Sequence, residues 1–371
     1  MPHANSQDDN LSAAPQNITG IAGMAAEKLR SGGLSLGREH GYIVNRNFDL
    51  WFFILSPLWA LAIGVSLDWT PLSNDVTIWS YTDSISDIFL ASLITAHLAI
   101  TIFRTHLNPD IFRRFPLRFT LIPALLMAAM LGSYKVLICM SVLATFWDVY
   151  HSGMQTFGLG RLYDMRAGNN PHRLRRLDII LNTVLYAGPI VGGATLMEHV
   201  EDFEKFENVG ALFLSAVPAK VEGFSGILTW IMLIGGGLFL IYYLFSYWRA
   251  AREGFLVSPQ KVVLLVSTGV CSLVAWGFNP YGEAFFIMNV FHAVQYFAII
   301  WWAERGTILR VFHLGPDGWG KRTALFIFIA TAMAYGAWDT IVSETSAMVL
   351  FVAILHFWYD GFIWSVRRND V

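Results

Sequence analysis

Charge is what this sequence has least of. Asp, Glu, Lys and Arg make up only 14% of its 371 residues, against 55% hydrophobic ones, and the mean hydropathy is +0.50. A soluble domain carries about a quarter charged residues, so the deficit excludes an ordinary water-soluble globule. The missing charge leaves long apolar runs, which is the pattern that lipid as a solvent demands. The formal net charge of −2 predicts no nucleic-acid partner. Cysteine is scarce as well: Cys139 and Cys271 both fall inside apolar runs, so no disulfide framework is implied and both read as packing. Phosphate loops, HExxH and dinucleotide fingerprints are absent. So are the HxxxH and HxxHH boxes of membrane desaturases, which argues against a di-iron desaturase.

What is present is helical and apolar. The fold class expected is all-α, a polytopic transmembrane helical bundle. A span needs about 20 mainly apolar residues, and that criterion gives about ten: 48–68, 84–104, 117–134, 136–160, 177–197, 225–248, 261–279, 283–303, 323–340 and 346–366. The 208–220 segment is too short to cross and reads as interfacial or re-entrant. Pro189 is expected to kink the fifth span, and Gly192–Gly193 and Gly235–Gly237 to let helices approach closely. Fourteen Trp and 28 Phe suit interfacial belts.

Charge supplies a check on this trace. With the N-terminus in the cytoplasm, alternation places every Lys and Arg of the chain's 25 on the inner side except Lys135, Lys205 and Lys220. That asymmetry follows the positive-inside rule and predicts cytoplasmic N- and C-termini in an integral protein of a bacterial inner membrane. Arg113, Arg114 and Arg118 fit this topology and equally an anionic-lipid contact. Residues 1–46 read as a cytoplasmic tail, partly disordered, ahead of a helical domain at 47–371. Met1 to Asn10 is polar and opens no apolar core, so no cleavable leader is expected. The amphipathic stretch Ile21 to Arg30 fits a membrane-surface helix and a plain linker equally.

Histidine carries the most information. His3, His40, His106, His172, His199 and His313 fall outside the apolar core on this trace and read as solvated. His97, His151, His292 and His356 fall in spans two, four, eight and ten, which all run from outside to inside. They precede the first inner arginine of their spans, Arg104, Arg161, Arg305 and Arg367, by seven, ten, thirteen and eleven residues. At 1.5 Å per residue this puts the four on the order of 10–20 Å from the inner edge of the hydrocarbon, in one layer near the midplane. Ionisable groups at that depth are costly and point to function. Neutral imidazole is a common ligand for transition metals, so a shared metal site is the leading expectation. A proton or ion pathway, bis-histidine haem and helix-to-helix hydrogen bonding remain open.

The neighbours of these histidines are polar at helical spacing. Asp148 precedes His151 by three residues and Gln155 follows it by four; Asp360 follows His356 by four. Gln295 and Tyr296 follow His292, with Asn289 before it. A carboxylate one turn away can take the second N–H of a ligand histidine and fix its tautomer. Asp148 and Asp360 suit that role, and suit pairing with inner arginines such as Arg161 or Arg368. Asp178 and Asn182 read as second-layer or gating groups. An all-nitrogen donor set without thiolate fits iron, copper or zinc.

At these residues the chain resembles the Brp/Blh family of membrane β-carotene cleavage enzymes. The likeness is clearest at His356-Phe-Trp-Tyr-Asp360-Gly-Phe-Ile-Trp-Ser-Val-Arg367, similar to the family's closing His-x3-Asp pattern. His292-Ala-Val-Gln-Tyr296-Phe297 resembles its third box and His151-Ser-Gly153 its His-Phe-Gly box, while His97 stands where the first box has its histidine. The first box differs, Ile94-Thr-Ala-His97-Leu in place of Gly-x-Pro-His-Gly, and Tyr296 replaces a second histidine. The resemblance implies a mononuclear non-haem iron held by histidines from several helices. The function expected is therefore a membrane oxygenase acting with Fe(II) and O2 on a lipophilic substrate, a carotenoid or other isoprenoid. Gln155, Gln295 and Tyr296 would sit around the ligands or line the substrate pocket. Two rivals stay open: an ion-coupled carrier, and a haem-binding subunit of a membrane complex. Membrane lipids and a hydrophobic small molecule are the expected partners, and a homo-oligomer or a partner subunit is compatible with the sequence.

Overall fold

The computed structural model of the chain describes residues 41–364, apart from Asp68, 279–283 and 343–345. The tail at 1–40, including Ile21 to Arg30, and Arg368 lie outside the described residues. Of the described residues 82% are helical, and the fold is all-α. Helix is the form that apolar runs take in lipid, since it alone satisfies every backbone group within one segment short of a closed barrel.

The chain opens with a broken pair, α1 (Arg46–Ile54) and α2 (Ser56–Leu67), bent by 50°. Asn45 caps α1 through the Phe48 N–H. The buried Asp49 carboxylate accepts from the Ile43 and Val44 amides and from the Tyr163 hydroxyl, which pins the chain's approach to the domain. A short antiparallel hairpin follows, β1 (Asp75–Ile78) and β2 (Tyr81–Ser84), with Trp79 exposed at its turn. Ser84 then caps α3 (Ile85–Arg104) by accepting from the Asp87 amide. The remaining long elements are α4 (Pro116–Gly132), α5 (Tyr134–Arg166), α6 (Arg175–Gly192), α7 (Ser225–Arg252), α8 (Pro259–Gly277), α9 (Ala284–Val311), α10 (Gly318–Val342) and α11 (Ser346–Ile363).

Each of the ten apolar segments read from the sequence contains a helix, but they are not alike. Among the described residues six helices, α3, α5, α7, α8, α9 and α10, are long and apolar enough to cross a membrane, or seven with α1 and α2 counted as one broken span. α4 and α11 are apolar but shorter. α6 opens on Arg175, Arg176 and Asp178, and with those three charges in 18 residues it is not among the six. The 208–220 segment forms two short helices, Leu212–Ser215 and Val217–Glu222, in keeping with a segment that does not cross.

α9 is the centre of the bundle, with most of its apolar window buried, whereas α7 is apolar on nearly every face and buries almost none. The close approaches fall at glycines the sequence only partly marked. A Cβ on Gly336 would strike the Ser92 backbone of α3, and one on Gly192 the Met232 side chain of α7. The Gly235–Gly237 run makes no such crossing, since only Gly236 has a neighbour, Val184 at 3.7 Å.

Charged side chains inside the bundle pair with one another. Lys261 of α8 donates to Asp164 (2.6 Å), Asp178 (2.8 Å) and Tyr247 (2.6 Å). Arg161 donates to the same two carboxylates, and Tyr243 and Tyr247 donate to Asp178. This cluster ties α5, α6, α7 and α8 together, and it corrects the expected gating role of Asp178 and Asn182, whose amide only reaches back to the Asp178 carbonyl. A second tie joins α3 to α9, where Arg104 donates to Glu304 at 2.6 Å. Arg104 and Arg161 are buried, so neither marks a water boundary as the depth reading took them to do.

Removing one partner of a buried ion pair strands the other's charge. Lys261→Met is expected to cost about 3–5 kcal/mol of stability, read as a fall in the unfolding temperature in detergent, while Gly236→Ala leaves that temperature unchanged. Gly336→Leu, which drives a side chain into the α3 backbone, is expected to lower it as well.

Candidate metal centre

Four helices bring four buried histidines to one place: His97 from α3, His151 from α5, His292 from α9 and His356 from α11. All are buried, at 3%, 5%, 1% and 1% exposure. Their rings pack edge to face, with centroids 5.2 Å apart for His97–His292, 5.1 Å for His97–His356, 5.1 Å for His151–His292 and 4.7 Å for His151–His356. Shared depth in the sequence is thus shared position in the fold.

One relay fixes the chemistry of His356. Its Nδ1 lies 2.6 Å from the Thr101 hydroxyl, which lies 2.9 Å from the Tyr296 hydroxyl, which donates to Asp360 Oδ1 at 2.8 Å. The carboxylate end only accepts, so the protons order in one direction: His356 Nδ1–H to Thr101, Thr101 to Tyr296, Tyr296 to Asp360. That leaves the lone pair of His356 on Nε2, facing the other histidines. Trp364 Nε1 also donates to Asp360 Oδ1, at 3.1 Å.

His356 Nε2 stands 3.0 Å from His151 Nε2. Two nitrogens bound to one metal at about 2.1 Å lie about 3.0 Å apart across a right angle and about 3.4 Å apart across a tetrahedral one. The observed separation therefore fits neighbouring ligands in an octahedral or square-based set. It also fits a hydrogen bond in which His151 donates from Nε2. His97 and His292 separate these two readings. Among the described residues, neither nitrogen of either ring makes a hydrogen bond of good geometry, and the Leu93 and Ile94 carbonyls are the backbone acceptors that act on His97. A neutral imidazole carries one N–H whatever its tautomer, and leaving it unpaired when buried costs about 1–3 kcal/mol. Donor atoms of His97, His292 and His356 lie within 4.8 Å of one another, and so do those of His151, His356 and Asp360. The residues present fit a metal ion.

The other residues singled out in the sequence sort by position. Gln155 donates to the His292 carbonyl (3.0 Å) and to Gln295 Oε1 (2.9 Å), and Gln295 donates to the Phe53 carbonyl and Ser56, so both brace the backbone around the histidines. Asp360 reaches no imidazole within hydrogen-bond distance, and the expected Asp-to-His bond at i+4 is replaced by Thr101. Asp148 makes no bond to His151. It lines a cavity of about 190 Å³ with Thr145, Ser152, Tyr186, His199, Trp276 and Asn289, among others. Arg161, a proposed partner of Asp148, is engaged by Asp164 and Asp178. His199, read as solvated, is half-buried between Trp276 and Phe285, its Nδ1 2.7 Å from the Thr195 carbonyl. Thr101 and Trp364 were not marked as functional. The signal for Thr101 was its place one turn after His97; Trp364 follows Asp360 by four residues.

Compared with known proteins, the chain matches no family model, no curated protein and no solved structure. The chemistry of the site rests on its own geometry.

Removing the Thr101 hydroxyl frees His356 to rotate and to choose its tautomer. Loss of such a partner typically weakens metal binding about 10–100-fold, so Thr101→Val is expected to show that loss in a competition titration, and Thr101→Ser to recover most of it.

Proposed function

We propose that the protein is a membrane-embedded non-haem iron oxygenase in which His97, His151, His292 and His356 hold the metal and O2 is used against a lipophilic substrate. The observation that carries this reading is that, among the described residues, no ring nitrogen of His97 or His292 makes a hydrogen bond of good geometry, beside the one available nitrogen of His356. Iron(II) suits all-nitrogen ligation with neighbouring ligands at right angles, and copper and zinc come next. The bis-histidine haem reading is disfavoured because the rings touch one another edge to face, with no slot between them for a macrocycle.

When bound, iron would supply the electrons for O2 chemistry. The chain's own residues do the rest. Thr101 and Tyr296 hold His356 in the ligating tautomer, and Gln155 holds the α9 backbone at His292. Asp360 terminates the relay as the proton acceptor of Tyr296. The cavity beside Asp148 lies about one helical turn from the histidines along both α5 and α9, since Asp148 precedes His151 by three residues and Met288 precedes His292 by four. An apolar cavity of about 150 Å³ takes benzene, so this one admits a ring-sized part of a lipid rather than a whole carotenoid. Trp276, Phe285 and Met288 give it apolar walls, and Ser152 and Asp148 add polar groups to its lining.

This reading agrees with the resemblance to the Brp/Blh enzymes at the four histidine segments, and isoprenoid lipids are the substrate class we favour. It also takes the ten helical segments as crossing an inner bacterial membrane with both termini in the cytoplasm. The six long apolar helices support membrane insertion, and the clustering of Lys and Arg supports the orientation.

Elemental analysis and an optical spectrum of protein purified in mild detergent test the proposal. About one iron per chain without a Soret band is expected for the wild type, with loss of that iron in His292→Ala and an intact fold. A well-folded wild-type sample that holds no metal when offered iron would move the reading to an ion-coupled carrier.

A further inference from the structure

We infer that Asp360 is itself a metal ligand, the carboxylate in a donor set completed by the four histidines; this rests on the metal-centre reading above. A carboxylate one turn after a ligand histidine ordinarily stands behind the ring and takes the proton of the nitrogen that faces away from the metal. Here that position is filled by Thr101, at 2.6 Å from His356 Nδ1. Asp360 lies instead on the other side of the ring, where the ligating nitrogens converge.

Its two oxygens are differently placed. Oδ1 accepts from Tyr296 and Trp364, which fixes the orientation of the group. Among the described residues Oδ2 accepts no hydrogen bond, and it stands 3.8 Å from His356 Nε2 and 3.9 Å from His151 Nε2. Two ligands of one ion at about 2.1 Å can be no more than about 4.2 Å apart, so Oδ2 is within reach of an ion that both histidines bind. Trp364 in turn lies under the Arg104 guanidinium, 4.3 Å away, and Arg104 is bonded to Glu304. The carboxylate is thus backed by a fixed chain of groups.

The two donor triads describe one ion rather than two. Both include His356, whose Nδ1 is engaged by Thr101, and a single remaining nitrogen cannot serve two ions. The triads meet at His356, so a modest inward shift of His97 and His292 toward His151 and Asp360 on binding would place all five around one ion. Charge favours the same set. Four neutral imidazoles leave a divalent ion with its full charge in an apolar interior, where uncompensated charge is costly, and one carboxylate halves it.

Cobalt(II) added alone to metal-free, detergent-purified protein reads this directly, because four-coordinate cobalt absorbs visible light far more strongly than five- or six-coordinate cobalt. Wild type is expected to bind one ion with weak visible bands. Asp360→Asn keeps the shape and the acceptor for Tyr296 and Trp364 but removes the anionic ligand. Its bands should strengthen and shift, and its affinity should fall by about tenfold or more. Asp360→Glu, which keeps the carboxylate, should retain tighter binding than Asp360→Asn with shifted bands, and it decides the matter where the asparagine variant does not fold. A wild-type spectrum and affinity in Asp360→Asn, or in Asp360→Glu if that alone folds, would overturn the inference and leave the four-histidine site standing. Failure of the wild type to bind cobalt would remove both.

Discussion

A polar side chain carried into an apolar interior must find its partner within the protein, because nothing outside offers one. That constraint organises this molecule. The buried charges of α5, α6 and α8 gather around Lys261 and Arg161 with two tyrosines of α7, and Arg104 of α3 pairs with Glu304 of α9. Each gathering joins separate helices, so the ion pairs act as the bundle's points of register. The histidine layer obeys the constraint on one side only. His356 is engaged at Nδ1, yet among the described residues its neighbours His97 and His292 make no hydrogen bond of good geometry through either ring nitrogen.

The direction of the relay through Thr101 and Tyr296 gives the layer its chemical sense. A chain of hydroxyls between an imidazole and a carboxylate can run only from the donor end to the acceptor end. The Asp360 carboxylate therefore decides, through two intervening hydroxyls, which nitrogen of His356 is available. This is a more specific device than a direct Asp–His bond, since it leaves one carboxylate oxygen unused. Tyr296 is a link of that relay, accepting from Thr101 and donating to Asp360.

The helical class and the ten helical segments were legible from hydropathy alone, because a long apolar run has few other options. Grouping the four histidines was legible too, through the common direction of their helices and their distance from a basic residue. The arginines used as a ruler are not what they were read as: Arg104 and Arg161 are buried ion-pair partners rather than loop charges. What sequence could not give was the rotation of each helix about its axis. Asp148 and Asp360 both sit one turn from a histidine, and spacing alone treats them alike. In the fold one opens into a cavity walled by Trp276 and Tyr186, and the other is captured by Tyr296 and Trp364. Lys261 illustrates the same limit: it reads as an inner-loop charge that sets topology, and only packing reveals the two carboxylates it binds.

The break between α1 and α2 leaves backbone carbonyls without the amides that a continuous helix would have offered. Ser267 takes up that of Ile54, and Gln295 takes up that of Phe53. Gln295 is held in turn by Gln155, which also grips the carbonyl of His292. The elbow of the first helix is in this way hinged onto the peptide that carries a central histidine, through two amide side chains and no intervening loop. A straightening of that elbow would withdraw the acceptor from Gln295 and slacken the strut behind His292. The N-terminal end of the domain thus acts as a lever on the innermost layer.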